Sequence, residues 1–288
     1  MNSPPITTIS RDDSEYPELL KHLRGGPDLL YLQGASTIFS TPTISIIGSR
    51  KMTAYGEKVA NYLIPDLVRA GLSIVSGLAY GIDSLAHQIA LHYGGKCIAV
   101  LGGGFTTIYP ASNTQLARTI VQKDGLLVTE YSPEEPPQKY HFPQRNRIVA
   151  GLSPMTLILE AGEKSGTLIT ARHALEAGRE VGVVPGDITR EESRGVHELL
   201  KQGARPITSS ADVLALYQPQ LSLIIPTELH PALTGTTATL YDLISHGTSR
   251  IDQLVNQTDL GIVEVQSALA VLELDGYIYL RGNEWQKI

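Results

Sequence analysis

Two short segments of the chain combine glycine with hydroxyl and cationic side chains, the residue types that bind phosphate groups. The first segment contains Gly48, Ser49, Arg50 and Lys51. The second segment contains Lys164, Ser165, Gly166 and Thr167. Glycine lets the backbone approach an anion, a hydroxyl donates a hydrogen bond, and a guanidinium can grip phosphate with two donors. The first segment alone is also consistent with a tight turn that carries a solvated basic tip.

Neither segment has the spacing of a known nucleotide loop. The first departs from the GxGxxG pattern of dinucleotide-binding loops, and the second departs from the GxxxxGK[ST] pattern of ATP-binding loops. The sequence therefore indicates contact with phosphate and gives little support to dinucleotide binding or ATP hydrolysis.

A third segment interleaves cations with aromatic rings and contains no acidic residue. It comprises Lys139, Tyr140, His141, Phe142, Pro143, Gln144, Arg145, Asn146 and Arg147. Such a mixture suits single-stranded nucleic acid, because cations follow the phosphates while rings stack on bases. The alternative is the start of a helix in which Phe142 belongs to the core. Arg145 and Arg147 cannot point to the same side of a helix, so one of them is expected to be structural.

Other reactive groups form no recognisable constellation. The eight histidines show no paired metal-ligand spacing, and the single cysteine, Cys97, lies in an apolar run typical of a buried strand. No Ser-His-Asp set is suggested either. The sequence therefore predicts no metal, no cofactor and no catalytic residue, and a lone thiol fits a reducing compartment.

Short apolar runs alternate with helical patterns from residue 42 onward. Strands are predicted at 43–47, 72–75, 97–101, 126–129, 155–159 and 181–184, with helices between them. This alternation predicts an α/β domain at 42–217, a Rossmann-like, doubly wound parallel sheet. In such sheets ligands bind beyond the carboxyl ends of the strands. The segments 48–51 and 164–167, which we call the phosphate-type segments, both lie at such strand ends. Residues 1–41 are interpreted as an N-terminal extension.

The C-terminal part of the chain changes character. Residues 218–233 contain three prolines and are interpreted as a linker, and residues 234–288 have the pattern of three helices followed by a hairpin, a winged helix. The chain has a net charge of −6, and residues 229–288 hold three Lys or Arg against seven Asp or Glu. Phosphate binding is therefore expected on the larger, N-terminal part.

The N-terminus has neither a basic segment nor an apolar signal segment, and no apolar run is long enough to span a bilayer. These features predict a cytoplasmic protein without membrane insertion.

Taken in order, the motifs resemble the DprA/Smf family. The residues that carry the resemblance are Ile47 to Arg50, Ser76 to Asp83 (SGLAYGID), Tyr109 to Asn113 (YPASN), Phe142 to Gly151 (FPQRNRIVAG), Ser165 to Ala171 (SGTLITA) and Pro185-Gly186. The resemblance implies a non-enzymatic protein that binds single-stranded DNA without sequence preference. It also implies loading of RecA recombinase onto the strand in natural transformation, and a homodimer formed through the Rossmann-like domain.

Carried over residue by residue, the resemblance places Arg50 and Lys139 on phosphate and Phe142 near a base. Arg145, Asn146 and Arg147 would line or support the same pocket. The position after Leu78-Ala79 is often basic in this family, and here it is Tyr80, which is expected to weaken the positive potential slightly.

Two other functions compete with this interpretation. The predicted fold also resembles that of the lysine-decarboxylase-like phosphoribohydrolases, but their PGGxGTxxE signature requires a glutamate where this chain has Thr170. A threonine is neither an acid nor a base near neutral pH. The second alternative is a duplex-DNA regulator that acts through the winged helix. Its candidate recognition helix contains three acidic residues and no Lys or Arg, which argues against reading a major groove.

Overall fold

The computed structural model describes residues 4–221, 233, 235–245, 247–258, 260–274, 277–282 and 284–287. The chain divides into two compact units, Met1–Ile225 and Pro226–Ile288. Within the described residues, no helix is long and apolar enough to cross a membrane.

A nine-stranded sheet forms the centre of the first unit. Its strands are β1 (Ile6–Ser10), β2 (Leu29–Gly34), β3 (Thr43–Ile47), β4 (Ser73–Ser76), β5 (Cys97–Val100), β6 (Leu126–Thr129), β7 (Met155–Ile158), β8 (Glu180–Val183) and β9 (Arg205–Pro206). Their order across the sheet is β1-β2-β6-β5-β4-β3-β7-β8-β9. Strands β3 to β9 are mutually parallel, whereas β1 and β2 are antiparallel to their neighbours.

Among the described residues of this unit, eight α-helices cover both faces of the sheet. They are α1 (Glu18–Lys21), α2 (Ala54–Arg69), α3 (Ile82–His92), α4 (Thr114–Gln122), α5 (His141–Gly151), α6 (Thr167–Glu176), α7 (Arg194–Lys201) and α8 (Ser210–Leu221). Residues of α2, α3, α4 and α8 pack in one core cluster, and residues of α1, α5, α6 and α7 pack in the other. The four-residue strands β4 to β7 are buried along their whole length, as expected for a parallel sheet covered on both faces.

The N-terminal residues correct the predicted domain boundary at residue 42. Strand β1 pairs with β2, and β2 pairs with β6, so both strands extend the central sheet. Leu20 of α1 is fully buried in the core beneath α5. Residues 1–41 therefore belong to the α/β unit. An antiparallel addition to a parallel sheet has no βαβ signature, which is why the sequence pattern did not reveal it.

The strand order reverses between β3 and β7, while the strands themselves remain parallel. From β3 the chain proceeds through β4, β5 and β6 to one side, and it then returns to place β7, β8 and β9 on the other side. The loops after β3 and β7 diverge to opposite faces and leave a crevice at the carboxyl edge, which is the usual place for a ligand in a doubly wound sheet.

The described residues of the second unit form three helices and a hairpin, in agreement with a winged helix. The helices are α9 (Thr236–Ser245), α10 (Ile251–Gln257) and α11 (Ile262–Leu274), and β10 (Ile278–Arg281) pairs with β11 (Glu284–Lys287). Leu240, Leu254 and Leu269 of the three helices meet in its core. Of the predicted linker 218–233, α8 includes residues 218–221, and residues 222–232 lie outside the described part of the chain.

Candidate functional site

A cleft of about 800 Å³ opens at the point where the strand order reverses, and we call it the switch-point cleft. Its walls include the loops that follow β3 and β7, the middle of α5 and residues before α7. The sequence-predicted residues that line it are Gly48, Ser49, Arg50, Arg145, Asn146, Lys164, Ser165, Gly166 and Thr167. The two phosphate-type segments, more than a hundred residues apart in the sequence, therefore face one space.

The loop after β3 is held by hydrogen bonds to its backbone, which leave its cations exposed. The Thr167 hydroxyl donates to the Gly48 carbonyl oxygen over 3.1 Å, and the Ile82 amide donates to the Ser49 carbonyl oxygen over 3.2 Å. The Lys51 amide donates to the Ser49 hydroxyl oxygen over 3.1 Å. Arg50 is exposed, and no carboxylate within the described residues pairs with it. Its charge is therefore available to an anion.

The loop after β7 leads into α6 and presents donors to the same space. The Ser165 hydroxyl lies 2.8 Å from the Thr167 hydroxyl and accepts the Thr167 amide over 3.2 Å. Helix α6 begins at Thr167, so the positive end of its dipole lies at the cleft. Its first three amides already donate to oxygen atoms of Ser165 and Gly166. Lys164 is exposed beside them, without an ion pair to the described residues. This wall combines a helix N-terminus with a cation.

Asn146, Phe142 and Lys139 of the Lys139–Arg147 segment lie in three different surroundings. Asn146 is half-buried and lines the cleft. Phe142 is half-buried and lines a smaller crevice beside it, together with Arg50. Lys139 precedes α5, is exposed, and lines neither of these spaces. Phe142 packs against the ring of Tyr109 and remains partly accessible, so it matches neither of the two alternatives fully.

Arg145 is buried, which corrects its assignment as a contact to nucleic acid. Its side chain is 3% exposed, and it donates to the carbonyl oxygens of Gly77, over 2.5 Å, and Val100. The buried carboxylate of Asp83 accepts the Gly77 amide over 3.1 Å. Burial lowers the pKa of Arg145 to about 10, which leaves it charged at neutral pH. Burial also raises the pKa of Asp83, against the opposing effect of the Arg145 charge. Arg145 therefore fixes the loops that follow β4 and β5.

Arg147 points away from the cleft and is engaged by the protein, a second correction. Its guanidinium forms a two-pronged ion pair with Glu130, with N–O distances of 2.6 and 2.7 Å. Its Nε donates to the Gly25 carbonyl oxygen over 2.8 Å. The hydrogen bonds to Glu130 raise the pKa of Arg147. The sequence predicted one structural arginine in this segment, and the structure has two.

The cleft also carries acidic side chains. Glu163, Glu191 and Glu192 are exposed along its rim, with Arg194 among them. Within the described residues no group of three or more His, Cys, Asp or Glu is placed to hold a metal ion. The carboxylates restrict where a phosphate backbone can run, because like charges repel at this range.

Two further residues, Asp83 and Asn113, help to position the site, although the sequence pattern assigned no role to them. The Asn113 side-chain amide donates to the carbonyl oxygens of Leu78, over 2.9 Å, and Ala79, over 3.3 Å. Asp83 and Asn113 both lie within motifs quoted above, SGLAYGID and YPASN. The signal that could have identified them is a polar side chain within a motif of apolar and small residues, because a polar group buried there must find hydrogen-bond partners in the neighbouring loops.

Two family profiles match this chain. Residues 7–218 match the family described as DNA recombination-mediator protein A, and residues 226–279 match the DprA winged helix domain. The chain is 44% identical to the DNA processing protein DprA of Bacillus subtilis over 209 residues, 72% of this chain and 70% of that protein. It is 36% identical to the protein Smf of Escherichia coli over 279 residues, 94% of this chain and 74% of that protein.

Solved structures agree with these matches. The fold is similar to that of DNA processing protein A from Streptococcus pneumoniae, with a TM-score of 0.70 and 42% identity, over 73% of this chain and 74% of that one. It is also similar to a structure that describes the single-stranded DNA binding mode of DNA processing protein A from Helicobacter pylori. There the TM-score is 0.67 and the identity 30%, over 75% of this chain and 97% of that one.

Proposed function

Because the chain belongs to the DprA/Smf family of proteins that process DNA in recombination, we propose that it binds single-stranded DNA at the switch-point cleft. The observation that carries the proposal is the meeting of two phosphate-type segments in one cleft. Arg50 and Lys164 supply cations from opposite walls, neither of them in an ion pair with another described residue, and the positive end of the α6 dipole adds to their attraction for an anion. The H. pylori relative, for which single-stranded DNA binding is described, supports the choice of ligand.

Each residue that the sequence assigned to the site has a part in this proposal. The backbone and hydroxyls of Gly48, Ser49, Ser165, Gly166 and Thr167 approach phosphate oxygens, with Asn146 on the wall between them. Lys139 attracts the strand outside the cleft, because it is exposed and unpaired within the described residues. Phe142 offers an aromatic edge beside Arg50. Arg145 and Arg147 do not contact the strand in this proposal. They hold in place the loops and the helix that carry the contacting residues.

The protein acts without catalysis in this proposal. Thr170 stands where the phosphoribohydrolase signature has its glutamate, and it lines the cleft. The rim carboxylates belong to other segments. Among the described residues, none of them is hydrogen-bonded to a nucleophile or to a second acid or base. Release of free base from AMP by the purified protein, abolished by Glu163→Gln or Glu192→Gln, would contradict this part of the proposal.

We also propose a finer role in recombination, on the strength of the family resemblance. A protein that covers incoming single strands and hands them to RecA recombinase must hold the strand without reading its sequence. Contacts to phosphate, which every sequence presents, fulfil that need. Two clefts in a homodimer would capture one strand more strongly than a single cleft, because the second contact is intramolecular. Sedimentation of residues 1–221, with dimers expected at micromolar concentration, tests the assembly.

The binding proposal is tested by comparing single-stranded and duplex oligonucleotides of one sequence. We expect the wild type to prefer the single strand, and Lys164→Ala to weaken that binding with folding intact, because a phosphate contact is lost. Arg205→Ala is the matched control, since Arg205 is exposed at the amino end of β9, the opposite edge of the sheet. Equal binding of single strand and duplex, or equal losses in both variants, would contradict the site.

A further inference from the structure

Three aromatic rings form a row beside the cleft. The ring centroids of Tyr80 and Tyr109 are 6.4 Å apart in an edge-on arrangement, and those of Tyr109 and Phe142 are 5.2 Å apart. Tyr80 is 47% exposed and Tyr109 is 50% exposed. Large aromatic rings are usually more deeply buried than this, so two exposed neighbours form a surface that can accept a flat ligand.

The loops that carry the two tyrosines are fixed to each other. Asn113, four residues after Tyr109, donates to the carbonyl oxygens of Leu78 and Ala79, which immediately precede Tyr80. On the other side of Tyr80, the Ile82 amide donates to the carbonyl oxygen of Ser49. The rings are thus held in place before a ligand arrives, which reduces the entropic cost of binding.

The row ends at the cation that the proposed function places on phosphate. The guanidinium carbon of Arg50 lies 6.0 Å from the centroid of the Phe142 ring. The crevice under the rings, which Arg50, Tyr80, Tyr109 and Phe142 help to line, encloses about 10 Å³. That volume holds about one water molecule, so a ligand must use the outer faces of the tyrosines. The two tyrosine rings stand at 78° to each other, so each offers its face to a separate flat group. A charged group at Arg50 joined to flat groups at Tyr80 and Tyr109 has the composition of a short nucleotide strand.

We propose that Tyr80 and Tyr109 form a stacking platform for unpaired bases of the strand whose phosphate is bound at Arg50. The inference rests on the proposed function and deepens it by assigning the base contacts. Every base has a π-face, so stacking adds affinity without sequence preference. Tyr80 therefore replaces the cation that often stands at this position in the family with a contact of a different kind, one insensitive to salt.

Single-strand binding measured across a range of salt concentrations tests the platform. In the full chain, Tyr80→Ala and Tyr109→Ala should each weaken binding about 5-fold to 100-fold, the range found for loss of a base–aromatic stack. The slope of log K against log salt should stay the same, because a tyrosine neutralises no phosphate. Tyr80→Phe should bind as the wild type does. Tyr62→Ala, which removes an exposed ring on α2, should have no effect.

An abasic oligonucleotide separates stacking from every other cause. It keeps the phosphates and lacks the bases, so the wild type and Tyr80→Ala should bind it equally. A loss in Tyr80→Ala that persists on the abasic strand would overturn the platform, and so would unchanged binding of the normal strand in both alanine variants. If Arg50→Ala also binds the normal strand as the wild type does, the proposed site itself fails. If Arg50→Ala alone loses binding, only the platform fails.

Discussion

Among single residues, Arg145 shows how a cation inside a nucleic-acid motif can serve the protein itself. Its guanidinium is bonded to the carbonyl oxygens of Gly77 and Val100 and lies close to the buried Asp83. We predict that Arg145→Met lowers the free energy of unfolding by about 3 kcal/mol or more, because a buried carboxylate loses its counter-charge. Urea denaturation measures the change.

Arg147→Met is the matched control for that variant. Arg147 is half-buried, and its ion pair with Glu130 keeps partial contact with water, so its loss should cost less than the loss of the fully buried Arg145. If Arg145→Met kept the wild-type stability and lost only affinity for single-stranded DNA, Arg145 would be a DNA contact and its structural role would be wrong.

His87 lies in the same buried region and gives the protein a dependence on pH. Both ring nitrogens are buried without a hydrogen-bond partner in the described structure, and burial, assisted by the Arg145 charge, lowers the pKa of His87 from 6.5 to about 3. Above pH 6.5 the ring is neutral in both the folded and the unfolded state, so the stability is complete. Below pH 6.5 only the unfolded chain takes up the proton, and stability is lost.

The expected loss through His87 is up to about 1.4 kcal/mol per pH unit as the pH falls from 6.5 toward 3. We predict that His87→Leu has a flatter pH dependence of unfolding than the wild type between pH 7 and pH 5. The comparison of slopes cancels the contributions of the remaining groups. Parallel curves for the two proteins would show that His87 takes up a proton in the folded state.

At the scale of the elements, the site depends on close backbone contact between the loops after β3 and β4. Gly81 has a φ of +75°, and a Cβ there would collide with the carbonyl oxygen of Ser49. We predict that Gly81→Ala weakens single-strand binding at least tenfold, a cost of about 1.4 kcal/mol, because the displaced loop carries Arg50. Affinity and thermal unfolding of the same preparation measure both effects.

Gly94→Ala isolates the collision from the backbone strain. Gly94 has nearly the same φ, +74°, with nothing within 4 Å of an added Cβ. It should lose stability through strain and keep its affinity for DNA. Equal affinities for the two alanine variants would mean that the contact between Gly81 and Ser49 does not position the cation.

The comparison of sequence with structure differs between kinds of element. The alternation of apolar runs predicted strands β3 to β8 closely, because each is a buried run bounded by glycine or polar residues. Strands β1 and β2 escaped, since they join the sheet from one end without a crossover helix. Cations such as Arg50 could be located on loops from sequence, but the sequence pattern does not reveal whether Arg145 of α5 points inward or outward.

At the scale of the whole molecule, the two units differ in charge. Residues 229–288 hold a net charge of −4, three basic against seven acidic residues, while the cleft belongs to the first unit. We predict that removing residues 229–288 leaves single-strand affinity unchanged or slightly raised, because an acidic body that repels phosphate is lost. The gain should be small, as charges are screened beyond about 8 Å at physiological salt.

A winged helix that contributes DNA contacts would give the opposite result. A tenfold or greater loss of affinity in a truncated protein with unchanged thermal unfolding of the first unit would identify such contacts. The exposed residues Val263 and Glu264 of α11 make that outcome unexpected, since neither can hold a phosphate.

The central claim is that Arg50 binds phosphate of a single strand at the switch-point cleft, and salt dependence tests it most directly. Each phosphate contact on a single strand contributes about 0.7 to the slope of log K against log salt. Binding of one single-stranded oligonucleotide should therefore be titrated at several salt concentrations for the wild type and for Arg50→Ala. The account predicts weaker binding and a slope smaller by about 0.7 in the variant. An unchanged affinity and an unchanged slope would contradict it and place the strand elsewhere on the protein.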